Sequence, residues 1–346
     1  GTMKEKVLVG MSGGVDSSAA ALILKEMGYE VAGVTLTLCD KDNSGDISDA
    51  KAVCERLGFS HTVLDLKQKF RSTVIANFIS EYKDGRTPNP CVVCNRHIKF
   101  GAMLDSAVKL GYDKIATGHY AQVKKQENGR YGLFRGEDRS KDQSYVLYSL
   151  NQYQLSNLVL PLGVFSKQQV REKAQAAGLV SAQRPDSQDI CFVPDGDYAS
   201  FIEKTDGFVS EIGDYVDING NILGKHKGVI RYTLGQRKGL GIALGKHAFV
   251  IEKDPVTNRV VLGDEEHLFK KQVYTEENNF IPFDSLKGEM EVTAKLRYRH
   301  TEQPAVIYPY KNGVMIEFKE PQRAPSAGQS AVFYDGDTVI GGGIIK

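Results

Sequence analysis

The sequence Val7-Leu8-Val9-Gly10-Met11-Ser12-Gly13-Gly14-Val15-Asp16-Ser17-Ser18 decides the fold of the first half of the chain. Its apolar beginning predicts a buried strand, and its adjacent glycines allow the backbone to turn tightly. Apolar side chains then recur at helical spacing from Ser17 to Met27, which predicts a helix directly after the turn. Because the first turn of a helix presents unpaired N–H groups, and the serines add hydroxyl donors, the stretch predicts an anion-binding loop.

The type of anion-binding loop follows from what the string contains. It lacks the Gly-Lys-Ser/Thr of a Walker A loop and the glycine spacing of a dinucleotide fingerprint. Asp16 would repel a bound phosphate unless Mg²⁺ lies between them. A plain strand-to-helix turn is the alternative. The complete string Ser-Gly-Gly-Val-Asp-Ser-Ser resembles the pyrophosphatase-type loop of ATP enzymes that adenylate an oxygen and release pyrophosphate.

Strand and helix patterns alternate through the rest of the first half. The next predicted strands are Val31–Leu36, His61–Leu66 and Lys114–Thr117; the next predicted helices are Asp49–Leu57, with Ser48 as N-cap and Gly58 as its stop, and Asn95–Leu110. Gly28 is expected just past the end of the first helix. This alternation predicts an α/β fold with a doubly wound parallel sheet, whose ligands bind at the carboxyl ends of strands.

The pattern changes in the second half, where short segments of alternating apolar and polar residues are separated by turn signals. These signals are Asn219-Gly220, Asp254-Pro255, Asn312-Gly313 and Asp335-Gly336. We therefore predict three domains: an ATP-binding domain at 1–206, a small β-rich domain at 207–269 and a C-terminal β-barrel at 270–346.

Composition limits the class of protein. The 346 residues are 41% hydrophobic and 25% charged, which is typical of a globular protein. The net charge of +1 argues neither for nor against nucleic acid, so such a claim must rest on local patches. No apolar run approaches the roughly 20 residues of a membrane span, and no secretory signal precedes the first strand, so we expect a cytoplasmic protein without a membrane partner.

Five cysteines, an odd number, favour catalytic or metal-binding thiols over a disulfide framework. In Thr87-Pro88-Asn89-Pro90-Cys91-Val92-Val93-Cys94-Asn95, a proline-set loop leads into the predicted helix. Cys94 is expected near the N-terminus of that helix, where the dipole would lower its thiol pKa. Cys191 follows Asp186-Ser187-Gln188-Asp189-Ile190. Cys-x-x-Cys alone serves zinc, redox and iron–sulfur sites alike, and for Cys39 and Cys54 we expect structural roles.

The loop and the two cysteine strings together resemble the tRNA-specific 2-thiouridylase family over essentially the whole chain. Further matching strings are Gly118-His119-Tyr120, Lys141-Asp142-Gln143-Ser144-Tyr145, Arg231 through Gly239, Leu296-Arg297-Tyr298-Arg299, Pro321-Gln322-Arg323 and Gly328 through Gly336. The resemblance implies that ATP adenylates the C2 oxygen of the wobble uridine (U34) in the anticodon loop of a tRNA. Sulfur from a persulfide on Cys191 then replaces that oxygen with the help of Cys94, which leaves a Cys94–Cys191 disulfide, AMP and pyrophosphate.

The resemblance also implies site residues and partners. The expected ATP contacts are Gly10, Met11, Ser12, Gly13, Gly14, Val15, Asp16, Ser17, Leu36 and Gly118, with Mg²⁺. The expected target-base contacts are Asn89, Pro90 and Cys91, and the expected tRNA contacts are His119, Lys141, Asp142, Gln143, Arg297, Tyr298 and Gln329. A sulfur-relay protein or a cysteine desulfurase would supply the persulfide. A hydrogen-bonded histidine at a strand end is the alternative for His119.

One departure from the family pattern concerns the target-base loop. Many members carry Asp where this chain has Cys91, and that Asp is thought to act on the base as an acid–base group. Cys91 could take over this role, or Cys91, Cys94 and Cys191 could hold a [4Fe-4S] cluster with one open iron, or a zinc ion.

Two other classes of protein compete with this interpretation. An amidating or ligating ATP pyrophosphatase acting on a small metabolite would have no need for Cys94 and Cys191. A metal-stapled RNA-binding protein would have no use for the phosphate loop. The tRNAs that are modified, the sulfur donor and the oligomeric state stay open.

Overall fold

A five-stranded parallel sheet forms the centre of the N-terminal domain in the computed structural model, which describes residues 3–179 and 190–346. In chain order the first seven strands are β1 (Lys6–Gly10), β2 (Glu30–Thr37), β3 (His61–Asp65), β4 (Lys114–Ala116), β5 (Ala121–Lys125), β6 (Tyr131–Arg135) and β7 (Leu158–Val159). The sheet order is β3-β2-β1-β4-β7. The order therefore reverses between β1 and β4, which confirms the predicted doubly wound sheet and fixes its ligand-binding crevice there.

The described part of the chain contains seven helices. They are α1 (Val15–Glu26), α2 (Ser44–Leu57), α3 (Lys67–Phe70, Arg71–Ile75 and Ala76–Lys83), α4 (Pro90–Cys94, Asn95–Ala102 and Met103–Lys109), α5 (Gln152–Ser156), α6 (Lys167–Ala176) and α7 (Tyr198–Asp206). The middle segments of α3 and α4 are π-helical. Short 3₁₀ segments occur at Ser144–Leu147, Pro161–Val164, Val229–Arg231 and Glu265–Leu268.

Two predicted helix starts are wrong. Asn43 precedes the first residue of α2, so Ser48 lies inside that helix, whereas Gly58 ends it in the left-handed conformation as expected. Helix α4 starts at Pro90, because proline suits the first position of a helix, where its missing N–H leaves no bond unmade. Cys91 therefore lies in the first turn of α4, and Cys94 lies after it.

The second half is all-β, as predicted. Its first sheet has the order β10-β11-β8-β9, from β8 (Gly213–Val216), β9 (Ile222–His226), β10 (Phe249–Asp254) and β11 (Arg259–Gly263). Six further strands close into an antiparallel barrel in the order β12-β15-β14-β13-β16-β17, with β12 also paired to β17. They are β12 (Phe269–Phe280), β13 (Met290–Lys295), β14 (Gln303–Tyr310), β15 (Gly313–Arg323), β16 (Ser330–Asp335) and β17 (Thr338–Ile345).

The barrel and the N-terminal domain are joined by strand pairing and by a shared core. The hairpin of β5 and β6 extends the barrel sheet, since Phe134 of β6 pairs with Thr338 of β17. Tyr145 and Leu147 of the N-terminal domain lie in one apolar cluster with Val332 of the barrel. The seam between these domains is therefore a packed interface, and the residues along it have defined positions.

Candidate active site

The phosphate loop connects the carboxyl end of β1 to α1. The N–H of Met11 donates to the carbonyl of Val34 (2.7 Å), which fixes the loop to the neighbouring strand β2. The N–H of Ser12 donates to Oγ of Ser17 (3.1 Å), and Oγ of Ser18 donates to the carbonyl of Gly14 (2.8 Å). These bonds stay within the loop and its helix, so the loop keeps its shape without a ligand.

Position 118 requires glycine because the residues that follow β4 pass directly against the backbone of this loop. A Cβ atom at Gly118 would lie 2.9 Å from the carbonyl carbon of Asp16 and 3.0 Å from the backbone N of Ser17. Side chains do not make contacts this short, so only glycine permits the approach. Leu36 lies near the carboxyl end of β2, the strand beside β1. The structure thus places the predicted ATP residues at one edge of the sheet, at its switch point.

Two side chains from distant parts of the chain bind Asp16. The hydroxyl of Tyr120 donates to Asp16 Oδ1 (2.7 Å), and Nζ of Lys167 donates to the same oxygen (2.6 Å). Lys167 belongs to α6 and is buried. Sequence reasoning missed Lys167, because no local motif links a lysine 151 residues away to the loop.

The predicted tRNA residues Asp142 and Gln143 lie beside the phosphate loop. The N–H of Tyr120 donates to Oε1 of Gln143 (2.9 Å), and the N–H of Gln143 donates to the carbonyl of Tyr120 (2.8 Å). Tyr120 therefore contacts Asp16 with its hydroxyl and Gln143 with its backbone. Asp142 accepts hydrogen bonds from the N–H of Gly136 and the hydroxyl of Ser144, which fix the loop that also carries Lys141.

The predicted target-base loop lies at the seam between the N-terminal domain and the barrel. Nε2 of Gln329 donates to the carbonyls of Thr87 and Pro88 (3.1 and 3.0 Å), so the barrel fixes the backbone directly before Asn89. Nδ2 of Asn89 donates to the hydroxyl of Tyr145 (3.4 Å). Asn89 also lines a cavity of about 350 Å³, which can hold a nucleobase.

Aromatic rings and positive charge meet along the same seam. The rings of Tyr145 and Tyr298 contact each other edge-on at 5.9 Å, and Nζ of Lys295 lies 5.6 Å from both ring centroids. The side chain of Tyr298 stays partly exposed. Arg297 precedes it and donates to the carbonyl of Arg323 (3.5 Å). An exposed tyrosine ring beside cations suits a single-stranded nucleotide, whose base stacks while its phosphate is held electrostatically.

His119 is buried, in contrast to a typical nucleic-acid contact. Its Nδ1 shares a hydrogen bond of 2.6 Å with Oγ1 of Thr117, and its ring packs against Phe100. Burial, with a smaller contribution from the charge of Lys99, lowers the pKa of His119 to about 3. His119 is therefore neutral at physiological pH and can offer only hydrogen bonds to a substrate.

The expected low pKa of Cys94 is wrong. Burial raises the pKa of the Cys94 thiol; the charge of Lys99 lowers it and the nearby thiol of Cys91 raises it, both to a smaller extent. Cys94 follows the first turn of α4, whose start at Pro90 puts Cys91 nearest the unpaired N–H groups. Cys94 is therefore mainly protonated at neutral pH in this state.

Cys191 is exposed. It lies close enough to Cys39, Cys94 and Cys91 for their thiols to affect its pKa. Desolvation, together with the nearby thiols of Cys39, Cys94 and Cys91, raises the pKa of Cys191 to about 11, although Lys99 lowers it to a smaller extent. Cys39 was expected to be structural, yet it packs against the same apolar cluster as Cys94. The string Asp186-Ser187-Gln188-Asp189 before Cys191 lies outside the described residues.

Lys99 is a second residue that sequence reasoning missed, and the π-helical segment of α4 explains why. It follows Cys94 by five residues, which in an α-helix would turn it about 140° away. A π-helical turn instead closes hydrogen bonds between residues i and i+5 and so rotates residue 99 toward the side of residue 94. Lys99 is the cation that acts on the pKa of Cys94, of Cys191 and of His119.

No thiol joins a preassembled mononuclear metal site within residues 3–179 and 190–346. The one cluster there whose ligand atoms lie within 4.8 Å of one another is Asp264, Glu266 and His267 in the β-rich half. Cys91, Cys94 and Cys191 are thus not arranged as a closed zinc site, since tetrahedral zinc holds its sulfurs closer together than this limit. In the same described ranges, we find no helix with the length and hydropathy of a membrane span.

The fold and the site together define a class of protein. A doubly wound parallel sheet with an anion-binding Ser-Gly-Gly-Val-Asp-Ser loop at its switch point is the catalytic domain of a pyrophosphatase-loop ATP enzyme. Family profiles match three consecutive parts of the chain: the tRNA methyl transferase HUP domain at residues 5–195, the tRNA methyl transferase PRC-barrel domain at 200–264 and the aminomethyltransferase beta-barrel domain at 270–345.

Relatives of known name match the chain over its full length. A protein of Acetivibrio thermocellus named tRNA-specific 2-thiouridylase MnmA is 50% identical over 357 residues, which cover 99% of each chain. Proteins of the same name from Carboxydothermus hydrogenoformans and Clostridium acetobutylicum are 48% and 47% identical, with 99% of this chain and 98% and 100% of theirs covered. The chain belongs to the tRNA-specific 2-thiouridylase family.

Proposed function

We propose that this protein is an ATP-dependent tRNA-uridine 2-sulfurtransferase, which converts the wobble uridine of a tRNA to 2-thiouridine. The observation that carries the proposal is the position of Leu36. It lies near the end of β2 beside the phosphate loop and packs against the same apolar cluster as Cys94 and Phe192, the neighbour of Cys191. Leu36 thus connects the strand beside the nucleotide loop to the apolar cluster of the thiols, which supports a nucleotide and a sulfur that meet at this end of the sheet.

The first half of the reaction requires the phosphate loop. The C2 oxygen of uracil is a poor leaving group, and its attack on the α-phosphorus of ATP converts it into part of AMP. The leaving pyrophosphate would be held by the N–H groups and hydroxyls of the loop and of α1. The carboxylate of Asp16 at this helix start is a ligand type that suits Mg²⁺, which would neutralise charge on the phosphates.

The second half of the reaction requires two thiols. The terminal sulfur of a Cys191 persulfide bonds to C2, and AMP leaves with the former C2 oxygen. The thiolate of Cys94 attacks the inner sulfur of the persulfide, so the sulfur–sulfur bond breaks and a Cys94–Cys191 disulfide forms. The two thiols are thereby oxidised, and a thiol reductant has to restore them before the next turnover.

The raised pKa values of both thiols bear on when this step occurs. A protonated thiol is a weak nucleophile, so Cys94 would react slowly in the state described here. Lys99 is the group positioned to favour the thiolate. A phosphate backbone and an expelled water layer would each raise these thiol pKa values further, so we infer that tRNA binding activates Cys94 by rearranging the residues around it.

Site residues along the domain seam would bind the anticodon loop. Asn89, Pro90 and Cys91 would contact the target base. The tRNA contacts would come from His119, which could contribute hydrogen bonds only, and from Lys141, Asp142, Gln143, Arg297, Tyr298 and Gln329. The exposed thiol of Cys191 is accessible to a protein that donates a persulfide, and a cytoplasmic location stays a prediction.

The direct test is mass spectrometry of tRNA nucleosides after incubation with ATP, Mg²⁺ and a persulfide source. We expect 2-thiouridine, with AMP and pyrophosphate formed in equal amounts and only when tRNA is present. Unmodified tRNA together with tRNA-independent ATP consumption would contradict the proposal and favour a ligase acting on a small metabolite.

An iron–sulfur route is a second way to the same product. Cys91 and Cys94 lie three positions apart in α4, and both act on the pKa of Cys191. Three thiolates could hold a [4Fe-4S] cluster whose fourth iron binds sulfide. We expect the persulfide route, in which anaerobically purified protein thiolates tRNA without iron and Cys91→Asp stays active. Stoichiometric iron with visible charge-transfer absorbance, lost in Cys91→Asp together with activity, would favour the cluster.

A further inference from the structure

Lys167 occupies a position that local physical chemistry disfavours. It is the first residue of α6, where the positive end of the helix dipole repels a cation. The residue is only 5% exposed, and burial of an ammonium group costs free energy unless it is paired. A buried cation at the start of a helix therefore indicates a functional demand there.

The partner of Lys167 lies in the phosphate loop. Nζ of Lys167 is 2.6 Å from Asp16 Oδ1, the oxygen that also accepts from the hydroxyl of Tyr120. Helix α6 itself is held firmly, since Ser166 and Gln169 form a reciprocal capping box and the N–H of Lys167 donates to Asp138. The ammonium is thus fixed in place before any ligand arrives.

The positive charge of Lys167 lies where it can offset a repulsion that Asp16 would cause. A carboxylate beside the binding site of a triphosphate repels it, and this repulsion acts at short range where water screens poorly. We propose that Lys167 is a positioning residue of the ATP site, which offsets the charge of Asp16 and fixes its carboxylate for a metal-bound triphosphate. This inference rests on the proposed function only for the identity of the nucleotide.

The test measures nucleotide binding apart from turnover. The probe is α,β-methylene-ATP, whose α–β bridge cannot be cleaved, titrated at fixed Mg²⁺ by calorimetry. We expect Lys167→Met to weaken its binding about 10- to 100-fold, as for the loss of a charge-assisted hydrogen bond. Lys167→Arg should restore most of the affinity, because it keeps the charge.

Lys173 offers a matched control on the same helix. It also connects α6 to an acidic residue of α1, since its Nζ lies 3.5 Å from Glu26, but at the far end of α1 from the loop. Lys173→Met should leave binding of the analogue unchanged. Equal weakening in Lys167→Met and Lys173→Met would overturn the inference, because general loosening of α6 would then be the cause.

A double-mutant cycle tests whether Lys167 affects nucleotide binding through Asp16. If Lys167 acts through Asp16, Lys167→Met should cost little affinity in an Asp16→Asn background. A full additional loss in that background would overturn the positioning role, because Lys167 would then act independently of Asp16. Should Lys167→Met not fold, Lys167→Gln retains a hydrogen-bond donor without the charge, and wild-type affinity in folded Lys167→Gln would likewise refute the inference.

The outcome separates this inference from the proposed function. A wild-type protein that binds the analogue more tightly than Lys167→Met, yet forms no 2-thiouridine, would refute the thiolation proposal and retain the role of Lys167. A wild-type protein that does not bind the analogue refutes both.

Discussion

Leu36 lies on the strand beside the phosphate loop and packs against the apolar cluster of Cys94, but the loop and the thiol site are assembled differently. The loop is one continuous stretch whose hydrogen bonds are already made, and Asp16 is held by two fixed partners. The thiols come from separate segments, and Cys94 and Cys191 both have raised pKa values. The nucleotide half is thus preorganised, whereas the sulfur half is not yet in its reactive state.

This difference has a chemical reason. Phosphate binding needs many donors held in one geometry, and preorganisation lowers its cost. A reactive thiolate or persulfide kept ready without substrate would be exposed to oxidation. Burial keeps Cys94 mainly protonated and so limits its oxidation before RNA binds. The order of nucleotide binding and sulfur transfer can therefore be tested.

The largest effect should come from removing either sulfur. We expect Cys94→Ser and Cys191→Ser each to lower 2-thiouridine formation more than about a thousandfold, since a nucleophile is lost. Binding of α,β-methylene-ATP should stay unchanged in both. Cys54→Ala is the control, because Cys54 is buried in α2. Loss of nucleotide binding in a serine variant would show that the two halves are not separate.

The next effect should come from Gly118→Ala. The added methyl group would meet the backbone of Asp16 and Ser17 at about 3 Å, so the preformed loop has to move. We expect nucleotide affinity to fall about tenfold or more and the free energy of unfolding to fall by about 1–3 kcal/mol. Gly45→Ala is the control, because nothing lies within 4 Å of its added Cβ. Unchanged affinity in Gly118→Ala would argue against a rigid loop.

A smaller effect is expected for Lys99→Met. Since Lys99 lowers the pKa of Cys94 and Cys191, its loss should raise both and lower the thiolate fraction at pH 8 about three- to tenfold. Iodoacetamide alkylation of Cys191, followed by mass spectrometry, should rise with pH toward a midpoint near 11, and Lys99→Met should shift the curve to higher pH. An identical curve would exclude Lys99 as the cation of the thiol site; Lys109→Met, at the exposed end of α4, is the control.

The smallest effect should come from Cys39→Ser. Cys39 raises the pKa of Cys191 but has no assigned part in the transfer. We expect 2-thiouridine formation within about twofold of wild type and an unchanged Cys94–Cys191 disulfide in peptide maps after a single turnover. Loss of that disulfide would instead identify Cys39 as the thiol that resolves the persulfide.

The extent to which sequence predicted the structure depends on how local each feature is. The loop from Gly10 to Ser17 was predictable because strand, turn and helix follow one another within a dozen residues. The barrel hairpin predicted at Asn312-Gly313 was found one residue earlier, with Lys311 and Asn312 in the turn, because its signal is also local. The start of α4 was misplaced because Pro90 reads equally as a loop residue and as the first residue of a helix.

The sequence by itself determined the fold class, the anion-binding loop and the identity of the thiols, because each depends on backbone conformations and residue types set within a short stretch. Only the tertiary structure decided which charges meet: it brought Lys167 to Asp16, Lys99 to the thiols and Gln329 to the loop before Asn89. Electrostatic interactions depend on distance in space and on burial, and neither quantity can be read from spacing along the chain.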